Sequence, residues 1–483
     1  IPRITGMDRE STRRLLSESA TFLFGVGGVI CIVIGIFMPQ FLTILYPNLA
    51  NSPQHAAFVF LARLLLLQPL LLGLSGVLGS VTQVHRRFVL FALSPVLYNL
   101  GIIAGAVFLY PRLGLPGIGL GVIFGAIAYL SVNIPVVIEA GVMPRFRLPT
   151  VKIMASVVKD SIPRSLALGM GSVTALILTA LASRIGTGSV SVFTFASNLE
   201  AVPLALIGSS YAVAAFPALS EASALKNHGE FSRVLSASAR HIILWSVTSL
   251  GLIVVLRAHI VRVILGTGAF DWNATRLTAA LLAILAVGLV AQGLILLFSR
   301  ALYAARQSWR PLIYQIIGGA MTVLLAFYFL SLPAQELSVS LAGFLKVGDV
   351  PLPSILLLAL AATGGQIFLA LLSLIALRGV SPHLGRTLTR SLIDGSLAAI
   401  TGGAAAYIVL LFEGGIAPLT TLLSVFTQGF IAGMVGLVVS ALTLFLIENE
   451  EFRIVAQALS KLIHRSDTTT SILSPSAKEP TQP

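Results

Sequence analysis

Between Pro353 and Leu377 the chain reads Pro-Ser-Ile-Leu-Leu-Leu-Ala-Leu-Ala-Ala-Thr-Gly-Gly-Gln-Ile-Phe-Leu-Ala-Leu-Leu-Ser-Leu-Ile-Ala-Leu, 25 residues without one ionisable side chain. At about 1.5 Å per residue, such a run crosses a hydrocarbon core of roughly 30 Å as one helix. A membrane barrel alternates apolar and polar residues, and this stretch does not. Blocks of the same kind recur along the chain, at about 21–45, 56–80, 88–110, 117–138, 162–183, 190–217, 241–265, 277–299, 311–332, 353–377, 392–412 and 416–447. The pattern predicts an all-α polytopic membrane protein of about 12 transmembrane helices. The last block is long enough to tilt or to run on as an interfacial helix.

Composition agrees. Of 483 residues, 56% are hydrophobic and 10% charged, whereas soluble domains carry roughly 25% charged residues. The net charge of +13 is scattered over short loops and forms no continuous basic face, which excludes nucleic acid as a partner. A single cysteine, Cys31, rules out a disulfide framework within the chain. The seven histidines show no His-x-x-x-His or Glu-x-x-His spacing, so no metal is expected. There is no Gly-rich phosphate loop, nucleophile elbow or paired-carboxylate motif. The chain therefore reads as a protein without cofactor or hydrolytic chemistry, whose energy comes from an ion gradient or the membrane potential.

Orientation follows from the basic residues. If the first loop is cytoplasmic, that side receives 24 of the 31 Lys and Arg residues, which places both termini of the chain in the cytoplasm. The chain opens Ile1-Pro2-Arg3, with neither a methionine nor a signal pattern, and its start reads as a cut. The polar stretch Glu221–Arg240 is expected as a short cytoplasmic helix, and the Ser/Thr/Pro-rich residues 466–483 as a disordered tail. The expected domains are an N-terminal lobe of four spans (1–138), a basic cytoplasmic linker (139–160), a six-helix lobe (161–377), two additional helices (378–465) and the tail.

An offset of 216 residues carries 21–45 onto 241–265, 56–80 onto 277–299, and Ser94-Pro95-Val96-Leu97-Tyr98-Asn99 onto Arg310-Pro311-Leu312-Ile313-Tyr314-Gln315. Three consecutive spans recur in order, a parallel repeat about an axis along the membrane normal. Subtracting the offset from 162–183 and 190–217 points ahead of residue 1. The first half is thus expected to lack two helices of a fourteen-span whole arranged as six, six and two.

Several strings then make the chain recognisable. They are Pro95-Val96-Leu97-Tyr98-Asn99-Leu100-Gly101-Ile102-Ile103, Gly188-Ser189-Val190-Ser191, Gly268-Ala269-Phe270-Asp271, and Ser299-Arg300-Ala301-Leu302-Tyr303-Ala304 leading to Pro311. With these strings and this span order the chain, up to about Arg465, resembles the MurJ/MviN lipid II flippases of the multidrug/oligosaccharidyl-lipid/polysaccharide exporter superfamily. The resemblance implies two six-helix lobes around a cationic cavity, two C-terminal helices forming a groove for a lipid tail, and residence in the bacterial cytoplasmic (inner) membrane. It implies as cargo the undecaprenyl-pyrophosphate-linked cell-wall precursor lipid II, moved by alternating access, with membrane lipid and a coupling ion as further partners. Where the family usually carries a cavity arginine, this chain has Asn198, in Phe195-Ala196-Ser197-Asn198-Leu199-Glu200.

Four residues are candidates for lining a substrate cavity. Arg63 lies in an apolar span, where an arginine costs about 2.5–3.5 kcal/mol unless it faces protein or water, so it either serves the cavity or snorkels to the outer interface. Asn198 and Glu200 stand two residues apart on one helix and point in different directions, so at most one faces a cavity centrally. Glu200 either pairs with a nearby arginine to fix packing or takes part in ion coupling. Arg184, just before the Gly186–Gly188 turn, is either a lip residue for sugar phosphate or an ordinary loop charge. Competing functions are an exporter of another lipid-linked oligosaccharide, a drug/cation antiporter of the same superfamily, a non-transporting scaffold, and a membrane glycosyltransferase. The last needs a large acidic outer loop, and the longest here, about 333–352, offers only Glu336 and Asp349.

Overall fold

The computed structural model describes residues 8–50, 52–85, 87–266, 268, 270–331, 335–377, 384–414 and 421–457. Among them there are helices and connecting turns and no strand. In lipid every backbone N–H and C=O must be satisfied within the segment, and a helix does this for an apolar run. The membrane-length helices are α1 (Arg9–Ile36), α2 (His55–Val84), α3 (Leu93–Leu113), α4 (Leu115–Glu139), α5 (Ser165–Ile185), α6 (Ser189–Ala224), α7 (His228–Leu265), the pair α8 (Trp272–Val287) and α9 (Leu289–Ala304), α10 (Trp309–Ser331), α11 (Ile355–Leu377), α12 (Leu388–Phe412) and α13 (Leu422–Leu446). Helices α8 and α9 are bent by 45° at the break between them, and the described residues give 11 unbroken spans, or 12 if the bent pair is one crossing. Large apolar side chains remain exposed along them, with Ile32 at 64%, Leu206 at 70% and Phe412 at 73%. Water would penalise such faces; lipid does not.

The elements depart from the sequence expectation in three places. The block at 21–45 divides at Phe37, because Pro39 cannot continue the hydrogen-bond ladder, and Met38–Leu45 forms a short helix of its own. The polar stretch at 221–240 is not a separate helix. It supplies the ends of α6 and α7, since the Asn227 side chain accepts the Glu230 N–H at 3.0 Å and starts α7 at His228. The block at 277–299 is the bent pair, broken at Gly288. The tail at 466–483 lies outside the described residues.

The repeat is visible in one pair of helix starts: α2 and α8 begin 217 residues apart, at His55 and Trp272. The register then slips. For Leu115 of α4 the offset points to Ser331, whereas α11 begins at Ile355, and the short helix Gln335–Phe344 with its following loop fills the difference.

The chain separates into two compact units, Ile1–Ile162 and Pro163–Pro483. The first has a small core in which Leu16, Leu78, Val81, Val137 and Val142 are buried. In it α3 and α4 touch backbone to backbone, because a Cβ at Gly101 or Gly105 would strike the chain at Gly125 or Gly121. Small residues four apart permit this approach, which lets dispersion and weak polar contacts act where lipid offers no hydrophobic drive. The second unit has larger cores, around Leu281, Leu282 and Leu358 and around Ile242, Leu297 and Phe298.

Candidate functional site

The second unit encloses a cavity of about 380 Å³ between α5, α6, α9, α10 and α11. Its geometry starts with the break at Gly288. The Gly288 N–H bonds to Leu285 O at 2.7 Å, three residues back, so the Ile284 carbonyl loses its usual partner. The buried hydroxyl of Thr363 on α11 replaces it, donating to Ile284 O at 3.1 Å. The Gln366 side-chain oxygen of α11 lies where a Cβ at position 288 would stand, so a larger residue there would push the Gln366 amide aside. One turn later Gln292 projects into the cavity.

Opposite stands Glu200, 6% exposed, on α6. Pro203, three residues on, has no N–H, and the helix widens into a π-turn over Ala205–Ser209. The Gln292 side-chain amide donates to Glu200 Oε1. Among the described residues the cavity wall contains no Lys or Arg. The arginine partner considered for Glu200 from the sequence is thus replaced by a neutral amide.

The remaining polar wall comprises hydroxyls and the side-chain amides of Gln315 and Gln366. The hydroxyls of Thr174, Ser197 and Thr322 each donate to their own helix, to Met170 O at 3.0 Å, Phe193 O at 2.9 Å and Gly318 O at 2.9 Å. Their lone pairs are left for other partners. Gln366 Oε1 is buried with no donor. A carboxyl group, an unsatisfied amide oxygen and hydroxyl lone pairs in a low-dielectric wall favour a proton or a small cation and disfavour an anion. A second cavity of about 160 Å³ shares Ile295, Leu296 and Gln315 with the first and reaches Ser299, Arg300 and Tyr303. There Arg300 donates to Ser209 O at 3.1 Å, at the end of the π-turn.

Of the four sequence candidates, Glu200 alone lines this cavity. Asn198 is exposed, in keeping with the different directions expected of two residues on one helix. Arg184 is exposed at the C-terminal end of α5. Arg63 belongs to the first unit and donates through Nε to Gly35 O at 2.8 Å. Gln292, Gln366 and Gly288 were not singled out from the sequence. A signal was present: an amide inside an apolar span needs a partner nearly as much as a charge does. Outside the cavity, Asp349 in the loop after Gln335–Phe344 receives both Nη atoms of Arg276 at 2.6 Å. This guanidinium holds its carboxyl below the usual aspartate value. One of the two acids, Glu336 and Asp349, on which a glycosyltransferase reading would draw is thus engaged in a structural clamp.

The family model described as "Lipid II flippase MurJ" matches residues 3–347. The "Lipid II flippase MurJ" of Burkholderia cenocepacia is 25% identical over 311 residues, 62% of this chain and 60% of that protein. The "Probable lipid II flippase MurJ" of Thermotoga maritima is 25% identical over 318 residues, 65% and 63% of the two chains. The matches thus span a little over three fifths of these curated relatives. Among solved structures, a lipid II flippase MurJ in an inward closed conformation superposes with a TM-score of 0.70 at 19% identity, over 93% of this chain and 87% of that one. An inward-facing multidrug resistance MATE transporter of the MOP superfamily gives 0.64 at 16% identity, over 80% and 84%. At these identities the superpositions speak for the fold.

Proposed function

We propose that this chain, which belongs to the lipid II flippase MurJ family, carries a lipid-linked peptidoglycan precursor across the bacterial cytoplasmic membrane by alternating access. The observation that carries the reading is the family match, which runs from residue 3 through all of the first unit's spans and on to residue 347 in the second. The cargo class suits the chemistry: an undecaprenyl-pyrophosphate head does not cross hydrocarbon unaided, while its tail stays in lipid. On this reading the protein is a transporter and not an enzyme, and both ends of the chain face the cytoplasm.

Energy enters through the polar cavity of the second unit. Among the described residues Glu200 is the one ionisable group on its wall. A carboxylate there needs a proton or a monovalent cation beside it, and the gain and loss of that charge links an ion gradient to the conformational cycle. Arg63, Asn198 and Arg184 remain candidates for the path of the sugar-pyrophosphate head.

The drug/cation antiporter reading draws on the MATE-like fold and the polar cavity, and one experiment separates the two. Purified protein is placed in liposomes with a fluorescent lipid-linked disaccharide-pentapeptide, and the fraction reached by an external quencher is followed in time. Protein-dependent exchange of the lipid-linked probe, without efflux of soluble organic cations, is the expected result. Cation efflux without lipid exchange overturns the proposal in favour of the antiporter.

A further inference from the structure

The segment Met143–Thr150, which lies between the end of α4 and the helix Val151–Ile185 that contains α5, is held along α1 like a strap. Three of its backbone N–H groups are taken by side chains of one face of α1. Arg145 N donates to Ser17 Oγ at 2.9 Å, Arg147 N to Thr21 Oγ1 at 3.4 Å, and Thr150 N to Glu18 Oε2 at 3.1 Å. Glu18 is fully buried and also receives Arg14 at 2.9 Å and Arg147 at 3.7 Å. These bonds hold the strap clear of the helix bundle. Beneath it lies a cavity of about 810 Å³, walled by Phe24, Leu74, Leu78, Ile134 and the strap's own Phe146, with Arg145 at its edge. That volume suits a drug-sized or lipid-chain-sized ligand, since small-molecule pockets run about 300–1,000 Å³.

Charge and exposure identify the occupant. Arg14 and Arg147 share one carboxylate, Glu18, while Arg145 lines the cavity with no ion pair among the described residues, which leaves positive charge in excess beside it. Phe146 and Leu148, beside those arginines, are 85% and 76% exposed. An alternation of arginines with bare apolar side chains suits the boundary between headgroups and acyl chains. By the asymmetry of the basic residues this boundary belongs to the cytoplasmic leaflet, which carries the anionic lipids. A further apolar helix would cover the walls but leave Arg145 without a counter-charge. A phospholipid satisfies both parts.

We propose that the cavity under the Met143–Thr150 strap binds one anionic phospholipid, its phosphate at the arginine rim and an acyl chain against Phe24, Leu74 and Ile134. The site lies wholly in the first unit and is independent of the cargo reading above. Occupancy braces the strap, because the acyl chain fills the space that Phe146 and Leu148 otherwise leave to the bilayer.

The test uses the purified full chain in phosphatidylcholine nanodiscs doped with a probe lipid that carries a diazirine on its acyl chain, as phosphatidylglycerol or as phosphatidylcholine, with cross-links mapped by mass spectrometry. The glycerol probe is expected to label peptides around Phe24, Leu74 and Ile134 in preference to the choline probe, and to lose that preference at high salt. Arg145→Ala is expected to weaken labelling roughly fivefold, the equivalent of about 1 kcal/mol for one interfacial arginine. Gly25 lines the cavity and a Cβ there meets nothing within 4 Å, so Gly25→Leu adds bulk at the cavity wall and is expected to abolish labelling while the protein stays monodisperse with unchanged melting. Equal labelling by the two probes, labelling indifferent to Gly25→Leu in the folded protein, or cross-links from this wall to polypeptide in place of lipid would each overturn the proposal.

Discussion

The Nε–H of Arg63 donates to the carbonyl oxygen of Gly35 at 2.8 Å, in the position that the N–H of residue 39 would fill if residue 39 were not proline. The helix breaks at Phe37, and a carbonyl freed there has no water to turn to if it stands in hydrocarbon. The sequence left Arg63 between cavity and interface; the geometry gives it a further task, as a donor to the break. Arg63→Ala should therefore cost about 1–3 kcal/mol of stability, the range for an orphaned buried acceptor. Pro39→Ala returns the missing N–H, so in that background the same substitution should cost less by about 1 kcal/mol or more. Unfolding of the four proteins in mixed micelles measures the coupling. If the two costs simply add, the bond does not serve the break.

Arg276 and Asp349 make a prediction about acid. The fork of Arg276 holds the Asp349 carboxyl below its ordinary value of 3.8, and also donates to Lys346 O at 2.5 Å. A carboxyl whose folded value is depressed contributes stability above its unfolded value and loses it as the pH falls through the folded one. Amide exchange across Lys346–Val350 should thus stay slow at neutral pH and accelerate only below about pH 3.8. Asp349→Asn should exchange fast at every pH. A profile that is the same in wild type and variant would remove the clamp from the account.

Orientation can be tested at sites that the helices present. With Cys31 replaced by serine, single cysteines at Arg87 and Asn227 should react with a membrane-impermeant thiol reagent only after the cells are opened. Cysteines at Arg184 and Lys346 should react in intact cells. These pairs stand at opposite ends of their helices by the distribution of basic residues. External labelling at both Arg87 and Asn227 would reverse the assignment.

What the sequence could and could not reveal follows from the physics of each feature. The spans were legible because the cost of a polar backbone in lipid makes every crossing a long apolar run, as at 353–377. The repeat was legible as far as α10, where Pro95 and Pro311 sit at matching places, and then lost to the inserted helix Gln335–Phe344. The break at Gly288 was not legible: a glycine among apolar residues looks like any other until Gln366 from a helix some 80 residues on is seen against it. Glu200 stood out by its charge, with an arginine pair and ion coupling both open to it. Arginine is the usual answer to a buried carboxylate, and nothing local to Glu200 shows that Gln292 of α9 arrives instead.

Glu200 also carries the strongest functional prediction. It sits in a wall that has no Lys or Arg among the described residues, bonded to the Gln292 amide and near a Gln366 oxygen that has no donor. A bare carboxylate is expensive there, so it is neutralised by a proton or accompanied by a small cation, and a transport cycle coupled through it must visit both conditions. Glu200→Gln keeps an oxygen for the Gln292 amide and fixes the neutral condition. The variant should reach wild-type membrane levels and normal melting, while translocation in liposomes falls on the order of tenfold, or about 1.4 kcal/mol at one step. Its response to pH and to monovalent cations should vanish with it. Glu200→Ala should differ in kind, because the Gln292 amide then loses its acceptor and the fold is weakened by about 1–3 kcal/mol as well. Glu200→Asp, which keeps the charge on a shorter stem, should retain the pH or cation response at a reduced rate. A Glu200→Gln protein that translocates at the wild-type rate with the wild-type ion response would remove this residue from coupling and leave it a packing contact between α6 and α9.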